Sequence, residues 1–170
     1  DTVVMFIVTC RLSVPLILVA LTVVALVGNS LTVLVLTLGL LLWERFAVVA
    51  RSTTMQEQRR EYVDAARAAG ASLPFILVRE VLPNILPHLV VVATLEMAIA
   101  ILLEASLSFL GLGVPAPLPS WGLMIAEARD FMFFTPWVIG VPGLALATLI
   151  LGINLLGDGL RDFAGGKRRP

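Results

Sequence analysis

The chain has 170 residues, 59% hydrophobic and 14% charged, with no formal net charge and a mean hydropathy of +1.00. A soluble domain averages ~45–50% apolar and ~25% charged residues, so this composition excludes an ordinary soluble domain and points to an integral membrane protein. The neutral balance gives no hint of nucleic-acid binding, and Cys10 and His88, each the sole residue of its type, exclude an internal disulfide and a cysteine- or histidine-rich metal site.

The sequence begins at Asp1 without a signal-peptide pattern, and it is expected to be part of a longer polypeptide. Leu12–Trp43 then runs for 32 residues without a charge. One crossing needs ~20 residues, so this run is long for a single span. Gly28-Asn29-Ser30 interrupts it with turn-forming residues, which predicts two helices, 8–27 and 31–50, meeting at a tight turn. A third apolar region, predicted as span 84–111, carries Glu96 and Glu104. A fourth, 134–157, is uncharged and contains Gly140 and Pro142-Gly143, which a membrane bundle tolerates. The fold class expected is all-α: a polytopic transmembrane helical bundle of about four spans.

Basic residues set the orientation. Arg45, Arg51, Arg59, Arg60, Arg67 and Arg79 fall between Glu44 and Glu80, and Arg161, Lys167, Arg168 and Arg169 fall at the C-terminal end. The loop 112–133 holds Arg129 as its one basic residue. Four crossings then place 51–83 and the C-terminal end in the cytoplasm, and the Gly28-Asn29-Ser30 turn and 112–133 outside. No glycine-rich phosphate loop of the G-x-x-x-x-G-K type and no G-x-S-x-G elbow occur, so the chain is not expected to be an enzyme.

Between the second and third spans lies "EYVDAARAAGASLPFILVREVLPN", Glu61–Asn84. Its pattern predicts helix, turn, helix. Tyr62, Ala65, Ala66, Ala69 and Leu73 recur at helical spacing as one small apolar face. Arg60, Asp64 and Arg67 are placed to pair along the polar side. Gly70 suits the left-handed end of a helix, Ser72 suits an N-cap, and Pro74 suits the next first turn. Pro83 and Pro87 mark re-entry into the membrane. The residues alone leave two uses open: a hairpin packed on its own bundle, or a docking surface for another protein.

Glu96 and Glu104 lie eight positions apart, hence roughly 80° apart around a helix, on overlapping faces. Carboxylates at membrane depth normally face protein or water. They are candidates to line a pathway, whereas Ser106 and Ser108 are near enough in sequence to satisfy Glu104 locally. In "VPAPLPSWG", Ser120, Trp121 and Gly122 are candidates for an external gate or docking surface, with Trp121 an interfacial aromatic by default.

"EYVDAARAAGA" followed by "VLPN" resembles the EAA loop of permease subunits in bacterial ABC importers. That pattern is E-A-A-x-x-x-G, nine residues, then I-x-L-P, and it falls on Asp64, Ala65, Ala66, Gly70, Leu82 and Pro83. Asp64 replaces the usual glutamate, and Glu80 stands where an apolar residue is common. "ILLEASLSFLGLGVPAPLPSWGLMIAEAR" and "NLLGDGLRD" resemble the C-terminal half of the dipeptide/oligopeptide/nickel branch. The resemblance implies a fragment of a single transmembrane domain, the C-terminal part of a six-span permease. It implies a second permease subunit, two cytoplasmic ATPase subunits, an extracytoplasmic solute-binding protein and a bacterial inner membrane as partners. ATP and Mg would be held by the ATPase subunits, with no cofactor on this chain. Glu61, Asp64, Ala65, Ala66, Arg67, Gly70, Leu82 and Pro83 would couple the permease to the ATPase. Peptides, nickel or other small solutes are the substrates implied. The rival readings are a proton-coupled secondary transporter using Glu96 or Glu104, and a membrane scaffold without a pathway.

Overall fold

The computed structural model describes residues 2–166, and the side-chain surroundings of 2–162. Lys167, Arg168 and Arg169, expected on the cytoplasmic side, lie outside the described residues. All described regular structure is helical: α1 Thr2–Leu12, α2 Leu16–Val27, α3 Leu31–Leu41, α4 Glu44–Glu57, α5 Glu61–Ala68, α6 Leu73–Phe75, a π-helical segment Ile76–Val81, α7 Leu82–Phe109, α8 Trp121–Glu127, a 3₁₀ turn Ala128–Phe131 and α9 Trp137–Gly166. Three stretches are long and apolar enough to cross a membrane, Leu31–Glu57, Leu73–Phe109 and Trp137–Asp162, and the bent pair α1–α2 makes a fourth if it counts as one.

The turn at Gly28-Asn29-Ser30 forms as expected, and Ser30 accepts a hydrogen bond from the Val33 amide at 3.1 Å. The helix boundaries differ from the sequence reading in four places. Span 8–27 is not one rod, because α1 and α2 meet at 84°. Pro15 disfavours helical geometry at Val14, so the chain restarts at Leu16. The helix of the second span does not stop at residue 50. It breaks at Leu42-Trp43 and continues as α4 to Glu57. The helix of the third span starts at Leu73, eleven residues before position 84, and runs unbroken. Pro83 and Pro87 lie inside it. Segment 112–133 is not a plain loop: it holds α8 and the 3₁₀ turn.

A proline removes a helical hydrogen bond and crowds the preceding turn. Here the helix widens just before Pro83, and the Leu82 amide donates five residues back to the Leu77 carbonyl. The Asn84 side-chain amide donates to the Glu80 carbonyl at 2.7 Å, satisfying backbone beside the disturbance.

Helix α7 is the hub, packed by α4, α8 and α9. One apolar cluster joins Ala20, Leu34, Leu38 and Leu41 to Leu103 and Leu107 near the end of α7. A second joins Val63 of the hairpin to Ile76, Val81 and Ile85. Between helices in lipid there is little hydrophobic drive, so close approach at small residues has to hold the bundle. Gly122 supplies one such contact. A Cβ there would collide with the Ala105 backbone of α7.

Candidate functional site

The hairpin forms as helix, turn, helix. Gly70 ends it at φ +80°, in the left-handed region, with open space around the position of a Cβ. Ser72 occupies the N-cap position without making a side-chain cap bond, and Pro74 sits in the first turn. The face that turns inward differs from the sequence reading. Val63 is fully buried, and Tyr62 and Ala66 pack beside it, whereas Ala65, Ala69 and Leu73 are exposed. Ala66 therefore serves the hairpin's own packing, and Ala65 and Ala69 present the small outward surface. Helical spacing could not decide this, because the ten residues from Glu61 offer apolar groups on nearly every side. Asp64, Arg67 and Glu61 are exposed; Asp64 pairs with Arg67 at 3.4 Å, and Arg60 pairs with Glu57 at 3.9 Å rather than with Asp64. Leu82 and Pro83 lie on the continuous helix beyond the π segment, both exposed.

A polar knot fastens this hairpin to the bundle. The Tyr62 hydroxyl donates to Glu57 Oε2 at 2.9 Å and accepts from the Asn84 amide at 3.3 Å. Glu57 is 7% exposed. It is thus part of the attachment and not the freely solvated charge that its place in a polar run suggests.

At the level of the α3–α4 break a second polar set joins α1, α3, α4 and α7. Arg11 Nη2 donates to the Leu41 carbonyl at 3.0 Å and faces Glu44 Oε1 at 3.7 Å. Arg45 Nε faces Glu96 Oε1 at 3.2 Å. Glu44 and Glu96 are both buried, at 5% and 4%. This pairing was hidden in the sequence, where Arg45 reads as one of the cytoplasmic arginines. The one signal for it is two buried-type acids in apolar surroundings, each of which needs a partner.

Near the C-terminal end of α7, Ser108 donates to Glu104 Oε1 at 2.6 Å and accepts from the Val114 amide at 3.3 Å. Ser106 instead donates to the Leu102 carbonyl. Ser120 caps α8 by accepting from the Leu123 amide at 3.1 Å, and Gly122 abuts Ala105, which leaves Trp121 as the exposed member of that trio. Among the described residues no group of acids, histidines and cysteines could hold a metal ion.

A helical, multi-pass membrane protein with a helix-turn-helix hairpin on its central helix is the class that these features define. The chain belongs to the binding-protein-dependent transport system inner membrane component family, whose model matches residues 1–169. It is 40% identical over 163 residues to the probable peptide ABC transporter permease protein y4tQ of Sinorhizobium fredii, covering 96% of this chain and 56% of that one. It is 42% identical over 151 residues to the di/tripeptide transport system permease protein DppC of Pseudomonas aeruginosa, covering 89% and 50%. It is 38% identical over 151 residues to the dipeptide transport system permease protein DppC of Alkalihalophilus pseudofirmus, with the same coverage. The chain spans about half the length of the curated relatives it matches.

Proposed function

We propose that this chain supplies part of one permease subunit of an ATP-driven peptide importer, and that the Glu61–Gly70 hairpin docks on a cytoplasmic ATPase. In this reading a second permease subunit closes the pathway, two ATPase subunits hold ATP and Mg, and an extracytoplasmic binding protein delivers the peptide. Segment 51–83 lies inside and 112–133 outside. The relatives' names speak of peptides and not of nickel, so nickel is dropped. The observation that carries the reading is mechanical. An exposed helix face of Asp64, Ala65 and Ala69 is pinned by Tyr62 and Val63 to a helix that runs unbroken from Leu73 to Phe109. A push on that face therefore reaches the membrane interior. A proton-coupled carrier has less behind it, since Glu96 and Glu104 are both already engaged, by Arg45 and Ser108.

The test separates docking from folding. Gly70→Val strains a left-handed residue by about 1–2 kcal/mol, and Ala65→Glu fills the outward surface. Both should insert normally, lose co-purifying ATPase and uncouple hydrolysis from peptide uptake. Arg59→Glu, an exposed charge swap beside the hairpin, should stay within about 0.5 kcal/mol of the parent in stability and retain uptake. Normal ATPase association and uptake in both hairpin variants would reduce the hairpin to an ordinary solvated connection.

A further inference from the structure

Glu44 and Arg45 are neighbours at the start of α4 but differ sharply in exposure. Glu44 turns into the bundle toward Arg11, its side chain 6% exposed, whereas Arg45 is 57% exposed. Arg45 lies about 20 Å along the helix from Leu31, and Glu96 about 20 Å from Phe109, at ~1.5 Å per residue. With Leu31 and Phe109 at one boundary of a hydrocarbon core of ~30 Å, both positions fall inside that core. An arginine at such depth faces protein or a water-filled cavity, not lipid tails. Its one ion pair among the described residues uses Nε, on Glu96. The two terminal nitrogens, which form the flat fork that fits a carboxylate, have no partner among the described residues.

We propose that Arg45 is a carboxylate-binding site on the translocation pathway, taking the C-terminal carboxylate of a passing peptide, with Glu96 as the positioning residue that holds the guanidinium in place. This rests on the permease reading above. Two features suit the task. Glu96 is buried and fixed on the hub helix, so it orients Arg45 from one side and leaves the fork open on the other. Glu96 also balances the arginine's charge, which keeps binding weak enough for release, as conduction requires.

The experiment uses the complete transporter, with the full-length subunit and its partners in proteoliposomes. Binding protein is preloaded with trialanine or with trialanine amide, and uptake is compared at equal loaded concentration. The parent should import the free acid faster. Arg45→Gln should lower free-acid uptake about tenfold and change amide uptake less than about twofold, the scale of one charge-assisted contact. Arg45→Lys keeps the charge without the fork and should lose most of the preference. Glu96→Gln should weaken free-acid uptake more than Glu104→Gln does, through a mispositioned guanidinium. Equal effects of Arg45→Gln on both peptides, or none on either, would overturn the site. If Arg45→Gln fails to assemble, the lysine variant decides: an unchanged preference overturns the proposal. A parent that imports neither peptide strikes at the permease reading itself.

Discussion

The two ends of the hub helix are secured in different ways. At the hairpin end, a short helix and turn are tied on by side chains: Tyr62 bridges Glu57 and Asn84, and Val63 plugs an apolar pocket of Ile76, Val81 and Ile85. At the α8 end, Gly122 lies directly against the Ala105 backbone, beside the Ser108 hydroxyl that joins Glu104 to the Val114 amide. Side-chain ties can be strained and remade, and they leave the outward face of the hairpin open. Glycine contacts tolerate no added atom. The hairpin end therefore has room to yield, and the wedge of Gly122 on Ala105 does not.

The contrast can be broken from either side. The largest effect is expected at the α8 end. Gly122→Val forces a branched side chain into the Ala105 backbone, and overpacking of this kind costs about 1–3 kcal/mol. The detergent-solubilised protein should lose thermal stability markedly, and an unchanged melting temperature would show that α8 is not wedged on α7. A smaller effect is expected at the hairpin end. Tyr62→Phe deletes the hydroxyl that joins Glu57 to Asn84, a loss of about 1–2 kcal/mol with the ring still packed. Hydrogen exchange of α5 should rise while α8 stays protected; a rise at both ends would mean that they are not independent. The smallest effect belongs to Glu104→Gln. The amide oxygen still accepts from Ser108, so a charge-assisted bond becomes a neutral one, at about 1 kcal/mol or less. Folding and insertion should be unaffected at equal expression.

Features with a local chemical cause were legible in the sequence. The Gly28-Asn29-Ser30 turn and the left-handed Gly70 follow from what those residues do to their own backbone. Features that depend on a distant neighbour were not. The break at Leu42-Trp43 carries no glycine or proline. Val63 rather than Ala65 turns inward because Ile76, Val81 and Ile85 wait there, and only tertiary contact chooses among apolar residues on a short helix. Arg45 and Glu96 meet across two helices far apart in sequence, so counting charges for orientation placed the arginine in the cytoplasm. The same limit hid the burial of Glu57, which needs Tyr62 to be seen.

The π segment alters the phase of the central helix. Bonds from each amide to the fifth residue back fit about one more residue into the turn than an α-helix holds. Faces on the two sides of Ile76–Val81 are then offset by ~100° from what an even count of 3.6 per turn gives. The segment works as a one-notch vernier between the hairpin and the Glu96 face. Removing a single residue there would leave both ends chemically intact and helical, yet turn one against the other by more than a quarter of a revolution.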